Sequence, residues 1–313
     1  MKAATVVDGQ VVVTDKPDPI PQRGEVLVRV RAAGLNAADL LQRRGFYPAP
    51  PGAPPDIPGL EIAGDVVALG EDATRFAVGD RVMALLGGGG QAELAVVHER
   101  VAIPVPEALD WPAAGGLPET FTTAHDALFT QCGLTMGERV LIHGAAGGVG
   151  TAAVQLAAAA GARVTATVRN AALHDAVRDL GAGDVVAPDA FAPLGPFDVI
   201  LELVGGPNMA ANLGALATGG RISVIGIGAG ASTEINLLQL MGARGSIHGS
   251  TLRARPLEEK AMAARRVEAH VLPLVAAGRL RVPVANTFAL DDVGAAYERF
   301  AAGAKFGKVV LLT

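Results

Sequence analysis

Residues 139–168 constrain this chain more than any other stretch. The apolar run Val140, Leu141, Ile142, His143 leads directly into Gly144, Ala145, Ala146, Gly147, Gly148, Val149 and Gly150. An Ala-rich run follows, then a second β-branched run from Arg163 to Val168. Strand, glycine turn, helix and strand in this order make a βαβ unit, which belongs to a parallel sheet covered on both faces. The turn is of the GxGxxG type with Ala145 in place of the first glycine. Gly147 lets the backbone approach a pyrophosphate, Gly150 allows close packing of helix on strand, and the helix start offers free N–H groups and the positive end of its dipole. The ligand this predicts is a dinucleotide phosphate; the plainer alternative is a glycine turn of some other parallel α/β domain.

Which dinucleotide follows from what is absent. An NAD-selective site places a carboxylate at the end of the second strand, on the adenosine ribose hydroxyls. Here no Asp or Glu occurs between Glu138 and Asp175, and the strand ends Thr167, Val168, Arg169, Asn170. Arg169 suits a dianionic 2′-phosphate through charge-assisted bonds, so NADP(H) is favoured over NAD(H). Otherwise Arg169 is a solvated charge at a strand end.

The remaining sequence frames this unit. At 313 residues the chain has length for about two domains. A hydrophobic share of 50% against 18% charged residues excludes a disordered chain. A net charge of -5 argues against nucleic acid as a partner, and 4% aromatic residues leave few rings for base stacking. With Cys132 alone, no intrachain disulfide or multi-cysteine zinc lobe can form, and a reducing, cytoplasmic setting is expected. Residues 1–13 carry Lys2 and Asp8 and do not read as a secretory signal. The uncharged stretch Val140 to Ala162 is long enough to cross a bilayer, but its clustered glycines and His143 argue against a span.

Before the βαβ unit, β-branched runs alternate with Gly/Pro turns: Thr5 to Val7, Gln10 to Thr14, Glu25 to Ala33, Glu61 to Leu69 and Gly79 to Leu85. They predict a mostly antiparallel, strand-rich domain. Asn36 is placed to cap a helix over Ala37 to Arg44, and the Pro-rich segment Tyr47 to Pro58 reads as a stiff connector or a functional loop. Further strands are expected at Asp184 to Ala187, Phe197 to Val204 and Arg221 to Ile227. Helices are expected at Gly148 to Ala160, Ala171 to Leu180 and around Asn208 to Ala217. Beyond Leu252 come a long helix near Leu257 to Ala276, a helix from Asp292 to Ala301 and a final strand, Lys308 to Leu312, that rejoins the first domain. The expected class is therefore α/β: a strand-rich domain over residues 1–120, a parallel sheet covered on both faces over 121–251, and a return to the first domain over 252–313.

Gly34, Leu35, Asn36, Ala37, Ala38, Asp39, then Gly45, Phe46, Tyr47, then Pro58, Gly59, Leu60, Glu61, with the Ala145 to Gly150 turn, together resemble the medium-chain dehydrogenase/reductases. Within that superfamily the chain is similar, over nearly its whole length, to the zinc-free, zeta-crystallin-like quinone oxidoreductases, which implies a GroES-like substrate domain over residues 1–120 and 252–313 with a Rossmann doubly wound domain over 121–251 inserted in it. The positions that hold zinc in the alcohol dehydrogenase branch, a Cys and a His, are matched here by Asn36 and Leu60. The structural zinc lobe has no counterpart around Arg81 to Ala92, and the six histidines show no HxxxH or HExxH spacing. Without a Lewis acid the alkoxide of alcohol oxidation is poorly stabilised, whereas a quinone or conjugated carbonyl delocalises the incoming electrons onto oxygen.

The resemblance further implies that Tyr47 lies over the cleft near the nicotinamide, on the acceptor or its developing oxyanion, although a loop tyrosine can also merely pack. Asn36 and Asp39 match polar positions at the cleft floor; Asp39 is as readily a first-turn helix charge. Thr123 matches a residue near the nicotinamide amide. Val204, the strand end Ile225, Gly226, Ile227 and the stretch Ser250, Thr251, Leu252 match the walls flanking the nicotinamide ring. Lys308 matches a position near the cofactor or is a strand-end charge. A homodimer joined near Ala243 to Ser250 is implied as well. Two other activities stay open: an enoyl-thioester reductase with Tyr47 as proton donor, and a dinucleotide-binding redox sensor with little catalysis.

Overall fold

Alternating burial along the early strands produces the antiparallel ladder expected of them, and long apolar runs later produce a parallel one. A computed structural model describes every residue from Met1 to Thr313. The chain divides into two units, Met1–Thr122 with Leu252–Thr313, and Thr123–Thr251. Along the chain the first unit supplies β1 (Lys2–Val7), β2 (Gln10–Asp15), β3 (Glu25–Gly34), β4 (Glu61–Leu69), β5 (Arg81–Leu85), β6 (Leu94–His98) and β7 (Ile103–Pro104). The second supplies β8 (Arg139–Ile142), β9 (Arg163–Thr167), β10 (Asp184–Val186), β11 (Phe197–Glu202), β12 (Leu216–Val224) and β13 (Ser246–Gly249). The chain then returns to the first unit with β14 (Val284–Ala289) and β15 (Lys308–Leu312).

In the first unit the sheet runs β14-β15-β3-β4-β5-β7, with β6 also paired to β3, and β1 and β2 form a separate hairpin. Its core is made of Val26, Val28, Val30, Ile62, Val66 and Val82 on the one hand and Leu35, Val293, Tyr297, Val309 and Leu311 on the other. β15 pairs antiparallel with the end of β3, Val310 opposite Gly34, so the last strand is part of the first domain's sheet.

The second unit is a six-stranded parallel sheet of order β10-β9-β8-β11-β12-β13. Counted from β8 this is 3-2-1-4-5-6, the doubly wound order in which the topology reverses between the first and fourth strands. Ligands of such sheets bind beyond the carboxyl ends of the strands at that reversal. Leu141, Phe197, Ile200, Leu213 and Ile222 fill its core.

Several elements depart from the sequence reading. Trp111–His125 is a helix despite Pro118 and two glycines, and none was expected there. Close approach explains the glycines: a Cβ on Gly115 would stand 2.6 Å from Cβ of Ala32 in β3. The helix expected over Leu257 to Ala276 breaks into Leu257–His270 and Leu272–Ala276, because Pro273 has no N–H for the ladder. The uncharged Val140 to Ala162 stretch divides into β8 and the helix Gly148–Ala159, and no helix is long and apolar enough to cross a membrane.

Candidate functional site

The glycine turn of the second unit joins β8 to the helix Gly148–Ala159. Gly147 is the N-cap in an extended conformation (φ −76°, ψ 172°), and no side chain caps the helix, so its first N–H groups are left for a ligand. A Cβ on Gly147 would meet only the Gly144 carbonyl, at 3.4 Å, so the space above it is open. Gly150 is the opposite case, since a Cβ there would lie 2.4 Å from that same carbonyl. Its closeness serves the turn itself rather than the helix-to-strand contact expected of it. Ala146, Gly147, Gly148 and Val149 are all partly exposed.

Arg169, two residues past the end of β9, is exposed and makes no hydrogen bond or ion pair. Asn170 is committed locally, its Oδ1 accepting the Ala172 N–H at 3.2 Å. The N–H groups of Ile225 and Gly226 both donate to the Glu202 carbonyl, leaving Ile227 45% exposed at the same end of the sheet. Ser250 donates to Asp126, Thr251 is exposed and Thr123 is buried. Leu252 departs from its expected place on the nicotinamide wall: its side chain is packed with Leu85 and Ala263 in the first unit's core.

Behind the turn lies a buried network that sequence reasoning missed. Glu202, at the carboxyl end of β11, accepts from the N–H groups of Val204 at 2.6 Å and Gly205 at 2.8 Å, and from Asn212 Nδ2 at 2.8 Å. Asn212 therefore turns Oδ1 toward His143 Nε2, 2.8 Å away, and that nitrogen carries the proton. His143 Nδ1 then accepts from Thr167 Oγ1 at 3.0 Å. Burial holds the His143 pKa below its usual value, so the ring is neutral. The network ties the ends of β8, β9 and β11 together and fixes the loop that carries Val204. A Glu ten residues before an Asn gives no local signal of this.

In the first unit, Asn36, Asp39, Glu61 and Lys308 come together. Lys308 is 2% exposed, and its ammonium lies 2.7 Å from the Leu35 carbonyl, 2.7 Å from Asn36 Oδ1 and 2.6 Å from Glu61 Oε1. All three of its hydrogens are engaged, so Lys308 is not a solvated strand-end charge. Asn36 Nδ2 donates to Glu61 Oε1 at 3.0 Å, and the Glu119 N–H donates to Oε2 at 2.9 Å.

Asp39 is 1% exposed and accepts from the N–H of Asn36 at 2.8 Å, the N–H of Gly59 at 3.1 Å and Nε2 of Gln91 at 3.3 Å. Burial pushes its pKa up to about 6 against the pull of those N–H groups. The carboxylate closes the start of helix Ala37–Arg43 and ties it to the Pro58-Gly59 turn, which gives it the helix-end role. Tyr47 is half-buried on the Pro-rich segment, beside Phe46, which is 78% exposed.

Residues 22–107 match the alcohol dehydrogenase GroES-like domain family, and residues 148–268 match the zinc-binding dehydrogenase family. Human quinone oxidoreductase is 32% identical over 305 residues, covering 94% of this chain and 91% of that protein. The chain belongs to the medium-chain dehydrogenase/reductase superfamily. Its fold agrees with an alcohol dehydrogenase superfamily protein from Novosphingobium aromaticivorans at a TM-score of 0.88 and 31% identity, over 100% of this chain and 99% of that one. A further relative, the spectinabilin polyketide synthase system protein NorB of Streptomyces orinoci, is 37% identical over 298 residues, which span 92% of this chain and 13% of that protein. As a member of this superfamily the chain is an oxidoreductase that uses a nicotinamide dinucleotide.

Zinc is implied by one of the two matched families, but the side chains present do not fit it. Leu60 is apolar and 2% exposed, Asn36 Oδ1 and Glu61 Oε1 already surround the Lys308 ammonium, and no three His, Cys, Asp or Glu side chains are grouped to hold an ion.

Proposed function

We propose that this chain reduces quinones, or similar electron-poor conjugated carbonyls, by hydride transfer from NADPH without a metal. The observation that carries the reading is the Lys308 ammonium, enclosed by Leu35 O, Asn36 Oδ1 and Glu61 Oε1, so that Asn36, which matches the zinc-binding Cys, already serves an internal cation. With that place taken by an internal cation, the acceptor must be one that stabilises its own oxyanion.

The nucleotide side belongs to the second unit. The open N–H groups after Gly147 suit the pyrophosphate and Arg169 suits the 2′-phosphate. When bound, the reduced nicotinamide supplies the hydride. The acceptor side belongs to the first unit, where Tyr47 donates a hydrogen bond to the acceptor oxygen as charge develops there and Asn36 keeps a fixed orientation between Lys308 and Glu61. Stopped-flow loss of NADPH absorbance with a panel of quinones tests the reading: turnover is expected with several, and turnover with none counts against it.

The 37% identity to part of a polyketide synthase protein favours one second reading, reduction of an enoyl thioester with Tyr47 as the acid. Crotonyl-thioester reduction faster than quinone reduction, abolished by Tyr47→Phe, would replace the first reading with this one.

We also propose a homodimer through the second sheet's edge. β13 is its last strand, and the helix Leu237–Ala243 just before it leaves Leu237, Leu238 and Met241 64%, 76% and 71% exposed. Leu238→Glu with Met241→Glu is expected to convert a dimer into a monomer in sedimentation velocity. An unchanged sedimentation coefficient would move the interface elsewhere.

A further inference from the structure

Arg253 stands outside the roles assigned so far, yet it is 4% exposed. Burying a guanidinium costs several kcal/mol unless its donors are met. Here each nitrogen has a partner: Nε donates to the Gly87 carbonyl at 2.7 Å, Nη1 to the Tyr47 carbonyl at 2.8 Å and Nη2 to Gln42 Oε1 at 2.5 Å. These acceptors lie on three segments: the glycine-rich loop after β5, the Pro-rich segment and the helix Ala37–Arg43. Gln42 donates in turn to the Pro55 carbonyl at 3.3 Å, so the segment carrying Tyr47 is held at both ends.

None of the three partners is a carboxylate. The guanidinium carbon lies 4.9 Å from the centroid of the Tyr47 ring. With no carboxylate hydrogen-bonded to it, the guanidinium lies unpaired beside the Tyr47 ring, where its field acts on the π-system.

We propose that Arg253 is the positioning partner of Tyr47 that makes its phenol a proton donor rather than a passive contact. This deepens the reductase reading and rests on it. A cation at the ring stabilises phenolate more than phenol, because the phenolate charge spreads into the ring. The acceptor gains a hydride from NADPH at carbon and negative charge at oxygen. The Tyr47 O–H bond breaks, its proton goes to that oxygen, and the phenolate is held by Arg253 until a solvent proton restores it.

Other charges bear on the pair. Burial raises the Tyr47 pKa, Arg253 pulls it down and Glu119 pushes it up. Asp39 and Glu119 favour the charged form of Arg253, while Lys260 faces it as a like charge.

The chain holds two tyrosines, which makes the test direct. Tyr297 is 1% exposed, donates to Gln91 and has its pKa driven well above the usual value by burial, so Tyr47 ionises first. Tyrosinate absorbance is titrated on the full chain without coenzyme or acceptor, with Tyr47→Phe assigning the signal. Arg253→Met is expected to move the midpoint up by about one pH unit, and Arg253→Lys, whose ammonium cannot make the three-way fork, by less. Midpoints in both variants at or below the parent's would overturn the proposal; should the Met variant lack a native near-ultraviolet signature, the Lys variant decides by the same criterion. With quinone and NADPH at neutral pH, kcat should fall about tenfold in Arg253→Met with KM for NADPH unchanged. A shifted titration with unchanged kcat would remove the proton-donor role. Absence of quinone turnover in the parent would instead sink the reductase reading, and the titration tells these failures apart.

Discussion

Arg169→Ala is expected to weaken NADPH binding about 100-fold while NADH binding changes by no more than about threefold, measured by calorimetric titration of each coenzyme. A factor of 100 is about 2.7 kcal/mol, within reach of a bidentate, charge-assisted pair with a dianion. Arg169 has no other task in the structure. Its side chain is exposed beyond β9 with no partner, so the substitution removes no internal contact. Nor does any carboxylate take part between Glu138 and Asp175, so the adenosine end of the site holds no fixed anion to repel a phosphate. On a chain of net charge -5 that local cation is the proposed discriminating feature. Equal losses for both coenzymes would show that Arg169 does not read the phosphate. The discrimination should also shrink with added salt, since the pair is exposed.

What could be read from the sequence was what local chemistry dictates. The β8 turn shows itself because strand, glycines and helix are consecutive, whereas the order of the strands across the sheet rests on pairings between residues far apart in the chain. Asp39 was legible only as a choice between two roles. Its helix-end role shows only in three N–H donors, one of them from Gln91, that no spacing links to it. The same limit applies to Lys308: its ammonium is placed by pairing of β15 with the end of β3, a contact between the two ends of the chain. Arg253 gave no signal at all, because its partners lie on three loops and helices far off in sequence. Trp111–His125 was missed for a different reason, in that its glycines and Pro118 lower helix propensity while the close contact with β3 favours the helix.

The Glu61–Lys308 pair should show its worth as stability. Both side chains are essentially out of water, 0% and 3% exposed, with 2.6 Å between Nζ and Oε1. Lys308→Met keeps the length of the side chain and deletes the charge. Glu61 would retain the Asn36 and Glu119 donors but face no cation, and an uncompensated buried carboxylate costs roughly 3–5 kcal/mol. For a unit the size of the first one, a loss of that order lowers the melting temperature by roughly 10 °C. Adding Glu61→Gln removes the stranded charge; the amide oxygen keeps the Glu119 N–H, and the amide NH2 meets Asn36 Oδ1 once that oxygen, freed from Lys308, turns toward it, so the double variant is expected to recover more than half of the loss. Thermal unfolding of the four proteins followed by circular dichroism closes the cycle. If Lys308→Met melts within about 2 °C of the parent, the pair does not hold the first unit together. If the double variant is as unstable as the single one, the missing packing of the lysine stem, and not the orphaned charge, is responsible.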